Sequence, residues 1–408
     1  MKNILILLVL FGILSGCSQS SNQNKHSSGN IENIPMIDID GAFMDINTTP
    51  LKCSEFIEDI EYIQLETNNE SVLGGRNGVL IFASPEFMYY DLKKFGLTDG
   101  KFIHSVGKIG RGPGEYLLAL GAATDIHDNR VFVLENWNRR ILVYDNDNNF
   151  IKDIDVQQEI SDINYLGDNN IILFRGSFLD LQSGTAPIEY QIYNLTEERI
   201  INQREMRGII KALHGTEKIP NVFGMGTNCN WYFENKLQYF ESFTDTIFSI
   251  GKDGKITPRF FVNRKNNKPP LSVMIDTKSF EKNRSKYIEI SSIFETPRYL
   301  FIRFFIDERG SFIASFDKVN QDTQVHQSDQ AFENDISFMR IISPKNMPGT
   351  SSAVQCSFNS PKTRNEFISL MESLPPTEWT EPAKRLYNLV KKANPEDNGI
   401  VCIYKFKK

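Results

Sequence analysis

Apolar and polar positions along this chain alternate in short bursts. Runs of about four to eight residues rich in aromatic and β-branched side chains recur throughout. Among them are GVLIFAS, FMYYD, RVFVLE, RILVYD, NIILFRG, EYQIYNL, KLQYFESF, TIFSIG, PRFFVN, YLFIRFFI, SFIASFD and IVCIYKF. Turn-forming segments separate them: TDGK, HDNR, DNDNN, GDNN and KDGK. Aromatic and β-branched residues fit a pleated, half-buried surface, and Gly, Asn and Asp supply tight reversals. Many short strands at close spacing predict an all-β sandwich, barrel or propeller.

Periodicity selects the propeller. Residues 106–154 divide into four strands: ALGAATDI turns at HDN into RVFVLE, NWN leads into RILVYD, and NDNN leads into FIKDI. Weaker versions of the unit lie at 78–107 and 237–263. The N-terminal strands near 34–66 and the C-terminal strand 400–407 are expected to share the final blade, closing the ring and leaving no long open edge. Three segments read as helix, at 275–286, 362–374 and 381–393. In the last, Ala383, Leu386, Leu389 and Val390 share a face, and Asn394-Pro395 stops it. All three are expected as inserts covering the last blades.

The stretch GKIGRGPGEY, residues 107–116, could be a phosphate loop or a joint. A phosphate loop needs its Lys and a hydroxyl residue to open a helix, but here Gly107-Lys108 comes first and no GK[ST] follows. A dinucleotide fingerprint needs another glycine spacing and a helix after it. LLALGAATDI reads instead as a strand. The stretch is therefore the crossover from one blade to the next, where glycine supplies positive φ and Pro113 fixes one dihedral. Arg111 and Glu115 are placed to pair across it. In a propeller the crossovers and the hairpins between second and third strands lie on one face. Arg111 and Glu115 are thus expected to share a face with Trp137, Asn138 and Arg139, and an exposed Trp beside Arg suits a binding surface. His127 is expected on the opposite face.

The chain opens MKNILILLVLFGILSGCSQS. One Lys precedes an apolar run, Ile4 to Leu14, suited to a signal-peptide core and too short to span a bilayer. Leu14-Ser-Gly-Cys17 resembles a bacterial lipobox. That resemblance implies residues 1–16 as a lipoprotein signal peptide, Cys17 as the lipidated residue and residues 17–33 as a flexible tether, with 34–408 as the propeller. The formal charge of −6 becomes −7 when Lys2 leaves with the signal. With no dense basic stripe, nucleic acid is not an expected partner.

Chemistry is sparse. Cys53, Cys229, Cys356 and Cys402 are far apart and form no CxxC, which speaks against zinc. Export permits disulfides, but small apolar roles suit these four better, three of them inside β-like runs (Cys229, Cys356 and Cys402). His104, His214 and His326 show no metal-ligand spacing, and His26 and His127 fall in the tether and a turn. Asp125, Glu135, Asp162 and Glu234 are carboxylate candidates only because they lie on or near strands. Asp245-Thr246-Ile247 resembles a short O-glycosylation motif, although it also begins a strand, the reading favoured here. No GxSxG elbow occurs. No catalytic residue, metal ligand or cofactor is assigned.

Glu135, Asn138, Arg140, Ile141, Val143, Tyr144 and Asp145 fall in the register of an NHL-type propeller repeat. GRGPGEY (110–116), EYIQLET (61–67), SFTDTIFSIGKDGKITPRF (242–260) and NPEDNGIVCIYKF (394–406) resemble a family of six-bladed β-propeller lipoproteins from Bacteroidetes. The resemblance implies an all-β, six-bladed propeller with short helical inserts in the C-terminal blades. It further implies an outer-membrane lipoprotein, and the absence of an acidic export signal after Cys17 favours a periplasm-facing one. Its expected partners are the membrane, through the lipid, and an envelope protein, peptide or glycan held as by a binding or scaffold module. The alternative is a metal-dependent hydrolase or lyase with its site in the central channel, as in some related propellers.

Overall fold

The computed structural model describes residues 34–73, 80–125, 127–135, 139–156, 160–175, 188–205, 229–242, 244–274, 277–342, 344–358 and 360–408. Six antiparallel sheets follow one another around a ring. Blade 1 comprises Leu80–Ala83, Phe87–Tyr90, Lys93–Gly96 and Phe102–Ser105. Blade 2 comprises Ala119–Thr124, Val131–Glu135, Arg140–Tyr144 and Phe150–Asp155. Blade 3 comprises Ile160–Gly167, Asn170–Arg175, Ile188–Asn194 and Arg199–Glu205. Blade 4 comprises Asn230–Phe233, Lys236–Glu241, Thr246–Ile250 and Ile256–Asn263. Blade 5 comprises Glu289–Glu295, Tyr299–Ile306, Gly310–Asp317 and Asp322–Gln327. Blade 6 takes Lys345–Asn346, Ser352–Ser357 and Ile400–Phe406, and its outer strand is Ile57–Gln64, paired antiparallel to Ile400–Phe406. The first strand of each blade lies innermost.

The apolar runs now have a physical explanation. Both faces of each sheet are covered by a neighbouring blade, so alternate residues serve two different interfaces. Phe132 and Leu134 enter the core between blades 2 and 3, whereas Val131 and Val133 enter the core between blades 1 and 2. A strand buried on both faces reads as continuously apolar rather than alternating. One such core sits at every interface around the ring, including that between blades 6 and 1, where Val354 and Val401 meet Met88 and Phe95.

The segment before Ile57 departs from the expected closure. Met36–Asp38 runs parallel to Phe261–Asn263 as a fifth strand on blade 4. Its alternation puts Ile37, and then Ile39 of the short helix that follows, into the core between blades 4 and 5, where both are fully buried. Leu51–Lys52 pairs parallel to Phe332–Glu333 in the crossover from blade 5 to blade 6. Within 34–66, the strand that enters the final blade is therefore Ile57–Gln64.

The helices expected at 362–374 and 381–393 fall as read, whereas the segment read as one helix over 275–286 holds a short helix, Thr277–Asn283, and a 3-10 turn, Arg284–Lys286, after a separate short helix. Leu271–Met274 and Thr277–Asn283 lie in the crossover from blade 4 to blade 5. Pro361–Ser373 and Glu381–Lys392 fill the hairpin between the second and third strands of blade 6. Each of these two starts with a hydroxyl cap, Ser360 accepting from the Thr363 N–H and Thr380 from the Ala383 N–H, and each carries Pro in its first turn. Phe367, Met371, Ala383, Leu386 and Val390 pack into the core between blades 5 and 6. Among the described residues Cys53, Cys229, Cys356 and Cys402 form no disulfide. Cys229 sits just ahead of a strand and Cys53 opens a single 3-10 turn, so two of the four, Cys356 and Cys402, lie within strands.

Candidate functional site

The antiparallel order puts the blade-to-blade crossovers and the hairpins between second and third strands at one edge of every sheet. The crossover from blade 1 to blade 2 is the glycine-rich stretch. It forms a short parallel pair, Lys108–Ile109 with Glu115–Tyr116, and no helix follows. Gly107 and Gly114 hold φ of 59° and 69°. A side chain at Gly114 would put its Cβ 2.7 Å from Phe150 Cβ. The Tyr116 hydroxyl donates to the Val106 carbonyl and the Tyr144 hydroxyl to the Gly114 carbonyl, both at 2.8 Å. The stretch is a joint pinned by two buried tyrosines.

Arg111 and Glu115 do not pair. Glu115 turns its carboxylate back onto the loop and accepts from the Gly112 N–H at 2.7 Å. A Cβ at Gly110 would stand 2.1 Å from that carboxylate, so Gly110 makes room for it. Arg111 is exposed. The crossover is instead stapled to the blade 2 hairpin by Glu135 and Arg140. Fully buried Glu135 accepts from the Leu117 N–H at 2.7 Å and from Arg140 Nε at 2.6 Å. Arg140 Nη2 donates to the Glu115 carbonyl at 2.8 Å. Arg139 is exposed, holds φ of 51°, and its carbonyl accepts from the Val156 N–H at 2.8 Å. The edge therefore presents Arg111 and Arg139 to solvent together with exposed Ile109, Leu117, Leu118 and Leu120. Trp137 and Asn138 lie outside the described residues.

The innermost strands of the blades line the central channel. A cavity of about 10 Å³ opens among Ala83, Ala122, Thr124, Asn164, Tyr232, Lys345 and Pro348, room for roughly one water. Its polar wall comes from the inner strands of blades 3, 4 and 6. Asp162 Oδ2 accepts from Asn230 Nδ2 at 2.7 Å, and Asn164 Nδ2 donates to Asn230 Oδ1 at 3.2 Å. Lys345 reaches solvent yet is walled by the ring; this enclosure lowers its pKa, with the charge of Asp162 acting against the shift. Lys345, Asn164, Asn230 and Tyr232 escaped the sequence reading. The one available signal was the spacing of Asp162 and Asn164, two polar residues on one face of the strand ISDINYLG.

The other candidates are structural or peripheral. Asp125 is buried against Arg130 at 2.6 Å. Glu234 is exposed in a turn. His104 and His326 lie on fourth, outer strands, away from the axis, and His127 is exposed in the turn between the first two strands of blade 2. His26 and His214 lie outside the described residues. Among the described residues no three His, Cys, Asp or Glu approach closely enough to hold a metal. Thr246 is buried and begins a strand, its hydroxyl donating to the Thr244 carbonyl at 3.1 Å; the neighbouring Asp245 binds Arg264 at 2.8 Å. The strand reading of that motif is the structural one.

Buried carboxylates at other interfaces also act as pins. Glu295, in the inner strand of blade 5, accepts from Arg259 Nη2 at 2.8 Å, Trp231 Nε1 at 2.9 Å and Lys318 Nζ at 3.0 Å. Glu189 and Glu241 share Arg204 between blades 3 and 4. Burial, and then the charge of Glu241, raise the Glu189 carboxyl well above the ordinary range. These partners are far apart in sequence and carry no local motif.

Residues 34–405 match the family described as "Domain of unknown function (DUF4934)", and the chain belongs to it. Among curated proteins none matches. A solved Bacteroides structure shares the fold. A Bacteroides fragilis protein whose name calls it exported is 18% identical, with a TM-score of 0.64, covering 88% of this chain and 98% of its own. A Bacteroides vulgatus member of another family of unknown function, DUF4221, is 11% identical with a TM-score of 0.43, covering 88% of this chain and 95% of its own. BamB from Moraxella catarrhalis is 11% identical with a TM-score of 0.34, covering 66% of this chain and 67% of its own. No helix among the described residues is long and apolar enough to cross a membrane.

Proposed function

We propose that the protein is a lipid-anchored binding or scaffold module of the cell envelope. Its acyl chain would be carried on Cys17, its address the periplasmic side of the outer membrane, and its partner a protein, peptide or glycan. The observation that carries this reading is the stapled edge at blades 1 and 2. The Glu135–Arg140 pair and the two tyrosine hydroxyls fix the backbone of the crossover against blade 2, while Arg111 and Arg139 remain exposed. A rigid backbone presenting arginines beside leucines and an isoleucine costs little ordering entropy on binding. Adjacent exposed apolar side chains of this kind mark interaction surfaces. Arg111, Arg139, Trp137 and Asn138 are the residues proposed to make the contacts, and Glu115 sets the loop that carries Arg111. Trp137→Ala with Arg139→Ala is expected to abolish capture of the partner by crosslinking in native envelopes without changing thermal stability. Unchanged capture would refute the site.

The channel supports the competing hydrolase or lyase less well. Its described wall offers one carboxylate, two amides and a lysine rather than a converging ligand set. Elemental analysis of protein purified without chelator tests that alternative, and a stoichiometric metal would bring it to the front.

A further inference from the structure

Arg303 differs from the other arginines that are withdrawn from solvent. Arg140, Arg204, Arg259 and Arg264 each meet a carboxylate. Arg364, which has no acid, gives its N–H groups to the carbonyls of Phe358, Asn394, Asp397 and Asn398. Arg303, in the second strand of blade 5, donates from Nη2 to the Ile342 carbonyl at 2.7 Å. Its Nε is buried with no acceptor. Burial lowers its pKa, and the nearby charge of Arg340 lowers it further. Among the described residues neither guanidinium forms an ion pair.

The backbone that carries the second cation is held in place. The Arg340 carbonyl accepts from Gln355 Nε2 at 3.4 Å, and the Ile342 N–H donates to Gln355 Oε1 at 3.0 Å. Gln355 belongs to blade 6, so it ties the Arg340–Ile342 backbone to that blade, and Arg303 of blade 5 bonds the same segment two residues from Arg340. Leaving a buried N–H without an acceptor is unfavourable, and like charges side by side disfavour each other. In a chain with a net charge of −6, this pair is a local positive spot that no carboxylate among the described residues pairs with. A guanidinium presents a planar fork of donors that fits an oxyanion.

We infer that Arg303 and Arg340 form a binding site for the oxyanion group of a small ligand, a carboxylate, sulfate or phosphate, at the interface of blades 5 and 6. One oxygen satisfies Arg303 Nε and the anion's charge offsets both guanidinium groups. This site is separate from the edge at blades 1 and 2 and does not rest on it.

The test is calorimetric titration of the full chain with sodium sulfate, sodium phosphate and sodium glucuronate, each at an ionic strength held constant with sodium chloride. Saturable binding of at least one anion is expected. Arg340→Gln should weaken it about tenfold or more; because Arg340 is exposed, that variant should keep the wild-type melting temperature. Arg309→Gln, at an exposed arginine in the neighbouring turn, should leave the affinity unchanged. Binding of sulfate and phosphate without glucuronate supports the site and assigns a tetrahedral ligand group. Binding of glucuronate alone supports it and assigns a carboxylate. Failure of all three to bind, an unchanged affinity in Arg340→Gln, or an equal loss in Arg309→Gln would overturn the inference.

Discussion

Replacing Glu135 with leucine tests the staple on which the presented edge depends. The side chain is fully buried, and its two oxygens accept from the Leu117 N–H at 2.7 Å and Arg140 Nε at 2.6 Å. The substitution strands both donors, and Arg140 is itself only 17% exposed. Removing one member of a buried, hydrogen-bonded pair costs about 3–5 kcal/mol. The unfolding entropy of a propeller spanning residues 34–408, at about 2 cal/mol/K per residue, comes to roughly 0.8 kcal/mol/K. A loss of about 4 kcal/mol therefore lowers the melting temperature by roughly 5 °C. Scanning calorimetry reads that shift. Limited proteolysis should locate it, with new cleavage within residues 107–118 before the rest of the ring is cut. The double variant with Arg140→Met should recover part of the loss, because the stranded Nε donor is gone. A loss in Glu135→Leu below about 1 kcal/mol, the range of an exposed pair, would refute the claim that this pair holds the crossover.

Other consequences follow from single residues. Deleting Ile400–Lys408 removes the strand that bonds both Ser352–Ser357 and Ile57–Gln64, so cooperative unfolding should vanish from the circular-dichroism melt; a wild-type transition would contradict the closure. His326 is buried and burial lowers its pKa below the ordinary 6.5, with the Asn47 backbone acting against the shift. Because the folded state binds this proton less readily than the unfolded state, stability is unaffected above about pH 6.5 and falls as the pH drops below it. His326→Phe should flatten that part of a melting-temperature profile taken from pH 7.5 to 5, and an unchanged slope would show another group to be responsible. Burial raises the Cys53 and Cys402 thiols far above their usual range and the Cys356 thiol to about 12. A thiol reagent should therefore leave all three unmodified until denaturant is added, and rapid labelling of the folded protein would contradict the packing.

Much of the fold was legible because it depends on repeated local chemistry. Residues 119–155 announce a blade through strand-sized apolar runs divided by Asn- and Asp-rich turns, and the last helix declares itself by the periodicity of Ala383, Leu386, Leu389 and Val390 and by the Asn394-Pro395 stop. The joint at 107–116 was readable from the wrong glycine spacing for a phosphate loop. Contacts between distant residues were not readable. Nothing local shows that Glu115 folds back onto Gly112 rather than meeting Arg111, or that Met36–Asp38 joins blade 4. The polar channel wall brings together residues as distant as Asp162 and Lys345, and the Arg303–Arg340 pair forms only when blade 5 is set against blade 6. The long apolar runs, in contrast, reported double-sided burial directly once the ring was known.

The binding-module account is tested most directly by a photo-crosslinking amino acid placed in the native envelope at Arg111, at Arg139 and, as a control on the opposite edge, at His127. The account predicts one discrete crosslinked partner shared by positions 111 and 139 and absent at 127. Adducts that are the same at all three positions, or none at 111 and 139, would contradict it.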